Sequence, residues 1–184
     1  MIVAGRWSAY GGGGVAGSEE GGLATGTADH EYSLTHTGEE LTEGRHYWEV
    51  ELAGQEDSTY VGVCRPDANP RAEHWKRECI TAWLLNADGC GLCGNGKEYD
   101  NEAGDFDDDE ADRRAQAGAV DQGDRMGILL DLDDGSLRFF KNGVEHGLSY
   151  PAGSVTGPVA LGAQMRFNDE DGPSAVRLLP DAEW

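Results

Sequence analysis

An Asn-Gly pair between two strand-like runs leaves a chain few choices, and Asn142-Gly143 is such a pair. Both residues tolerate the positive φ angles of a type I′ turn, whose twist matches the strands it joins. Before it, Ser136 to Lys141 alternates, with Leu137 and Phe139 projecting to one face and Arg138 and Phe140 to the other. After it, Val144 to Leu148 must return antiparallel, which sets Lys141 opposite Val144 and Phe140 opposite Glu145. Upstream, Met126, Ile128 and Leu130 alternate with Gly127, Leu129 and Asp131, the period of two that belongs to a strand. Asp133-Asp134-Gly135 breaks that run, because Asp-Gly supplies the backbone angle of a tight turn. Gly123 to Gly147 is therefore predicted to be a three-strand meander.

Such a sheet is not stable alone; its apolar face needs a second layer, and the rest of the chain must supply it. Residues 1–22 are Gly-rich, with four consecutive glycines from Gly11, and read as a connector, with Met1 to Val3 and Trp7 as a candidate edge strand. From Leu23 onward the signals are those of one domain, 23–184. Tyr32-Ser33-Leu34 marks a short strand. In Tyr47 to Leu52, Trp48, Val50 and Leu52 form a core face and Tyr47, Glu49 and Glu51 a wet one. Thr59 to Cys64 is almost continuously apolar, as expected of a central strand covered on both sides. Arg65 to Pro70 is a loop by its two prolines, and Glu73 to Glu78 is predicted to be a helical turn. Ala82 to Leu85 and Cys90 to Cys93 are further strands. Eight of the thirteen residues from Asp100 to Asp112 are acidic, too like-charged to pack, so 100–122 is expected to be an exposed insertion. Gly157 to Ala163 and Ala175 to Leu178 are read as closing strands. Many short strands with turn signals and no long amphipathic helix predict an all-β sandwich of two antiparallel sheets.

Lysine and arginine number 14 against 35 aspartates and glutamates, a net charge of -21. That balance argues against nucleic acid or an anionic membrane as partner and allows a basic protein. The N-terminal residues carry no basic region followed by an apolar core, and no Asn-x-Ser/Thr acceptor occurs. Four cysteines in 184 residues do not make a disulfide framework. The cytoplasm or nucleus is the expected location, not the secretory route.

The blocks GRHYWEVEL, VGVC, AWLL followed by DG and NGK, GDRMGILLDLDDGSLRFFKNG and GPVALGA occur in an order that resembles a SPRY domain, over roughly Leu23 to Leu179. The resemblance is to the shorter SPRY type. It implies a bent, jelly-roll-related sandwich that binds another protein or a short peptide through loops at one end, as substrate-recognition or scaffold domains of ubiquitin-ligase-type proteins do. It further implies that the loop after VGVC (Arg65, Pro66, Asp67, Asn69) and the turn after GPVALGA (Gln164, Met165, Arg166) lie together at that end. Trp75 and Tyr99 are candidate aromatic anchors, the residue type favoured in interface hot spots.

Three other chemistries have partial signals in the sequence. Glu49 and Glu51 project from one strand face, as the carboxylates of some sandwich-fold glycosidases do, but Ala53 stands where a further carboxylate belongs. Two glutamates on a wet face are the ordinary case. Cys90-Gly91-Leu92-Cys93 has the form of half a zinc site, yet Cys64 and Cys79 are separated by fourteen intervening residues with no second pair. In a strand, Cys93 points away from Cys90 and Leu92. Counting back from Gly172 or Gly135 gives no alternating oxygen ligands for a calcium loop, which leaves a calcium-responsive acidic segment as the weaker alternative. The five histidines show no i, i+4 metal pairing, and no G-x-S-x-G nucleophile motif is present. The expectation is a monomeric, non-enzymatic interaction module with no cofactor and no metal.

Overall fold

In a computed structural model of the chain, residues 7, 15–17, 22–27, 32–55, 58–72, 76, 79–88, 91–95, 118–168 and 172–180 are described; they form strands and loops and contain no helix. In chain order the strands are β1 (Val15–Gly17), β2 (Leu23–Gly26), β3 (Ser33–His36), β4 (Arg45–Leu52), β5 (Tyr60–Cys64), β6 (Ala82–Asn86) and β7 (Gly91–Cys93). They continue with β8 (Arg125–Asp131), β9 (Ser136–Lys141), β10 (Val144–Tyr150), β11 (Ala160–Met165), β12 (Phe167–Asn168), β13 (Gly172–Pro173) and β14 (Ala175–Leu179). One sheet has the order β1-β2-β14-β4-β8-β9-β10 and the other β3-β11-β5-β6-β7, while β12 and β13 form a small ribbon. All pairings are antiparallel, and the two sheets stack as an open sandwich.

The meander has the register its turns dictate. Lys141 lies opposite Val144 and Phe140 opposite Glu145, and Asn142 and Gly143 take φ of 50° and 80°. A bulge between Glu145 and Ser149 then shifts the register, so that Tyr150 faces Leu137. At the other turn, Gly135 has φ 77°, and a side chain there would press on the Val155 carbonyl at 2.8 Å. The carboxylates of this turn are used locally. Asp131 accepts from the Asp133 amide, Asp133 from the Gly44 amide and Asp134 from the Ser136 amide, at 2.9–3.0 Å. Arg45 donates to Asp131 across the β4–β8 pair, and this bond holds the Asp131 carboxyl below its ordinary pKa.

The second layer is the smaller sheet. Val61, Val63, Trp83, Leu85, Leu161 and Met165 point inward and meet Trp48, Val50, Met126, Ile128, Leu137, Phe139 and Val176 in one buried cluster. Each set follows from strand parity, because pairs such as Trp48↔Ile128 and Val63↔Trp83 put both partners on the same face. Tyr150 reaches from β10 across this core. Its hydroxyl lies 2.6 Å from the Cys93 carbonyl and 3.1 Å from that of Leu84, and it accepts from the Leu84 amide at 3.2 Å.

β5 is central and buried throughout, as its composition predicts. Its outer face is covered by its own following loop. Ala68 packs with Leu34, Tyr60, Cys64, Leu84 and Cys93, and the Leu34 amide donates to the Pro70 carbonyl at 2.8 Å.

Two expectations change, and one strand's place is added. The Gly-rich N-terminal stretch is not only a connector: Val15–Gly17 is the edge strand β1, and Trp7 is buried in the core. The last strand, read as Ala175 to Leu178, is present as β14, and its place between β2 and β4 was not specified by the sequence; there Leu178 and Val176 complete the apolar row of Val50 and Leu52. The end of 100–122 is anchored. Val120 is fully buried and donates to the Ala87 carbonyl, while Lys141 donates to the Ala119 carbonyl and pairs with Asp124 at 3.0 Å. Met1 to Val3, most of Glu73 to Glu78 and the run Asp100 to Asp112 lie outside the described residues.

Phe139 is fully buried between the sheets. Phe139→Ala is expected to cost about 3–5 kcal/mol in urea denaturation; a loss under about 1 kcal/mol would contradict its core position. The Asp131 carboxyl, titrating lower folded than unfolded, adds stability above the unfolded value near ~3.9 and loses it as pH falls through the folded one. Asp131→Asn is therefore expected to be less stable at pH 7, with the melting-temperature gap to wild type closing below about pH 4. A gap that stays constant with pH would refute the assignment.

Candidate partner-binding groove

Where β5 ends and β6 and β11 begin, three backbone segments meet at one end of the smaller sheet. The pairs Cys64↔Ala160 and Cys64↔Ala82 bring Arg65, Thr81 and Val159 to the same level, and the Arg65 amide donates to the Thr81 carbonyl at 2.8 Å. A groove of about 540 Å³ opens here, lined by Glu40, Arg65, Pro66, Asp67, Ile80, Thr81 and Pro158. That volume falls within the range of ligand-binding clefts.

Arg65 forms the inner wall. Strand parity turns it toward the core side, where its guanidinium carbon sits 5.3 Å above the Trp83 ring. Its terminal nitrogens donate to the Pro158 carbonyl at 3.2 Å and the Thr156 hydroxyl at 2.8 Å. Trp83 is itself fixed, donating from Nε1 to the Ser154 carbonyl at 2.9 Å. Ile80 forms the opposite feature: 69% of its surface is exposed, although most residues of its type are buried. Glu40 and Asp67 lie on the rim, both exposed. Burial holds the His36 imidazole below its ordinary pKa, opposed by the charge of Glu40.

The structure separates the residues expected to act together. Arg65 follows the Cys64↔Ala160 pair and Arg166 follows the Gln164↔Tyr60 pair, so they leave opposite ends of an antiparallel ladder, roughly 20 Å apart at about 3.3 Å per residue. Gln164 and Met165 are fully buried. Met165 points into the core and Gln164 donates to the Ala72 carbonyl at 2.7 Å, so neither side chain presents a surface. Arg166 stacks 5.3 Å from the Tyr32 ring. Pro66 and Asp67 line the groove, whereas Asn69 bonds to the Arg71 amide further along the loop. Trp75 and Tyr99 lie outside the described residues. Sequence reasoning missed Ile80, Glu40, Thr81 and Pro158. A single isoleucine between charged Lys76 to Glu78 and a strand was the available signal for Ile80.

The alternative chemistries meet engaged side chains. Glu49 pairs with Arg125 at 3.7 Å and accepts from the Tyr47 hydroxyl at 3.0 Å, and Glu51 pairs with Arg177 at 2.8 Å, all on the outer face of the larger sheet. Cys93 and Leu92 face opposite clusters, as parity requires, and Cys90 lies outside the described residues. Burial pushes the Cys64 thiol up to about 12. Among the described residues no group of three or more histidines, cysteines or carboxylates is placed to hold a metal ion.

The family model for the SPRY domain matches residues 45–168. The E3 ubiquitin-protein ligase TRIM11 of Bos taurus is 35% identical over 102 residues, which is 55% of this chain; the chain spans only 18% of that relative's length. Among solved structures, the SPRY domain of human HERC1 superposes with a TM-score of 0.65 at 19% identity, over 92% of this chain and 94% of that one. The TRIM65 PSpry domain gives 0.62 at 16% identity over 97% and 93%. Stonustoxin gives 0.64 at 15% over 96% of this chain and 27% of its own.

Arg65 and Asp67 share the groove but carry different loads. Arg65→Ala removes two hydrogen bonds and the Trp83 stack and is expected to cost about 1–2 kcal/mol in urea denaturation. Asp67→Ala is expected to stay within about 0.5 kcal/mol. Equal losses would contradict the separation of wall from rim.

Proposed function

The chain belongs to the SPRY family, and from that premise we propose that it is a non-catalytic interaction module whose groove around Ile80 takes a segment of another protein. The observation that carries this reading is the exposed Ile80 side chain, set in a concave surface on a sandwich whose core is closed. An uncovered aliphatic group in a cleft gains free energy when a partner covers it, and scattered surface residues lack the surrounding walls. The walls need little rearrangement on binding. Arg65, Trp83 and Ser154 are already bonded to one another, which lowers the ordering cost of association.

The engaged state of Glu49 and Glu51 supports binding over glycoside hydrolysis, since each carboxylate is already paired with an arginine rather than left free to act as acid, base or nucleophile. The likeness to part of an E3 ubiquitin-protein ligase supports a place as the recognition or scaffold domain of a larger assembly. We place that assembly in the cytoplasm or nucleus, with this domain monomeric.

Ile80→Asp tests the groove. Affinity capture from the native cell with wild type and variant, read by quantitative mass spectrometry, is expected to lose specific partners while the melting temperature stays within about 2 °C. Full retention of partners would refute the groove. So would their loss on Arg166→Ala alone, which would move binding to the other end of the ladder.

A further inference from the structure

The rim of the groove differs electrostatically from the strands of the two sheets, although the loop residues Glu39 and Glu43 are likewise without an ion pair among the described residues. Elsewhere the acidic side chains of the sheets are matched: Glu49 with Arg125, Glu51 with Arg177, Asp121 and Asp124 with Lys141, Asp131 with Arg45 and Glu145 with Arg138. Glu40 and Asp67 have no such cation among the described residues, and both flank the exposed Ile80. Among the described lining residues the one cation, Arg65, is directed elsewhere, toward the Pro158 carbonyl, the Thr156 hydroxyl and the Trp83 ring. The groove therefore combines an apolar floor with two rim carboxylates that no described cation pairs, inside a chain of net charge -21.

We infer that the occupant of this groove is a basic segment of a partner protein, with one aliphatic or aromatic side chain seated against Ile80, Pro66 and Pro158 and flanking lysines or arginines facing Glu40 and Asp67. The inference rests on the groove being the binding site, as proposed above, and adds the partner's chemistry. The apolar contact supplies burial. The carboxylates supply register and reject acidic segments, which meet like charge. The overall negative field speeds encounter with a cationic chain and makes association sensitive to salt.

The test uses the full 184-residue chain and a display library of random peptides, with the enriched sequences resynthesised and measured by fluorescence anisotropy. Enriched peptides are expected to carry lysine or arginine on both sides of an apolar residue and to weaken as salt is raised. The Glu40→Gln/Asp67→Asn double variant is expected to bind them about tenfold more weakly. Glu40→Lys/Asp67→Lys is expected to enrich acidic peptides instead. All these substitutions are at exposed positions, and circular dichroism checks that each variant is folded. Neutral or acidic peptides that bind the wild type and are lost on Ile80→Asp would overturn the charge inference and leave the groove standing. Peptides of any charge that bind equally well to wild type and Ile80→Asp would overturn both.

Discussion

The close approach of β5 to β6 at Gly62 sets the geometry of the smaller sheet. Gly62 lies opposite Leu84 on one side and Gly162 on the other. A Cβ at Gly62 would overlap the Trp83 carbonyl oxygen, and one at Gly162 would sit 2.7 Å from the Cys64 sulfur. At Gly62 only glycine leaves room for the β6 backbone to pass, while at Gly162 the missing side chain makes room for the Cys64 thiol. With that register held, Cys64 pairs with both Ala160 and Ala82, and the chain leaves β5 beside the starts of β6 and β11. The groove exists because those three segments are forced to one level.

The larger sheet reaches the same place through its turn. Gly135 admits the Val155 amide to its carbonyl at 2.9 Å, and the Asp134 carbonyl accepts from Gly153 at 2.8 Å. Between them Ser154 offers its carbonyl to Trp83, and Trp83 carries Arg65. A continuous series of contacts thus runs from the Asp-Asp-Gly turn of the meander to the inner wall of the groove. Tyr150 adds a second tie between the sheets at Leu84 and Cys93. Because the wall is held by both sheets, a partner meets a surface that is already shaped.

The meander was legible in the sequence down to individual cross-strand pairs, since Asn-Gly and Asp-Gly turns fix register and a period of two fixes the face. The second layer was legible as runs of apolar residues, and β5 as central, because those signals are local. What escaped was non-local. A Gly-rich stretch says nothing of the edge that β1 pairs with, and Val120 gave no sign that it anchors the end of an acidic segment in the core. The grouping of Arg65 with Arg166 failed for a related reason. The resemblance implied proximity, but β5 and β11 are antiparallel, so the loops that follow them leave at opposite ends. Met165 was ambiguous by type, since methionine serves both cores and binding surfaces, and only its inward parity places it in the core.

The proposed binding is confined to the end of the sandwich shared by Arg65, Ile80 and Pro158. Backbone amide chemical shifts, recorded while the chain is titrated with a bound partner peptide, test it directly. Shifts clustered at Glu40, Arg65, Asp67, Ile80 and Thr81, with Tyr32 and Arg166 unmoved, are the predicted result. Shifts centred on Tyr32 and Arg166, or on the outer face at Glu49 and Glu51, would contradict it.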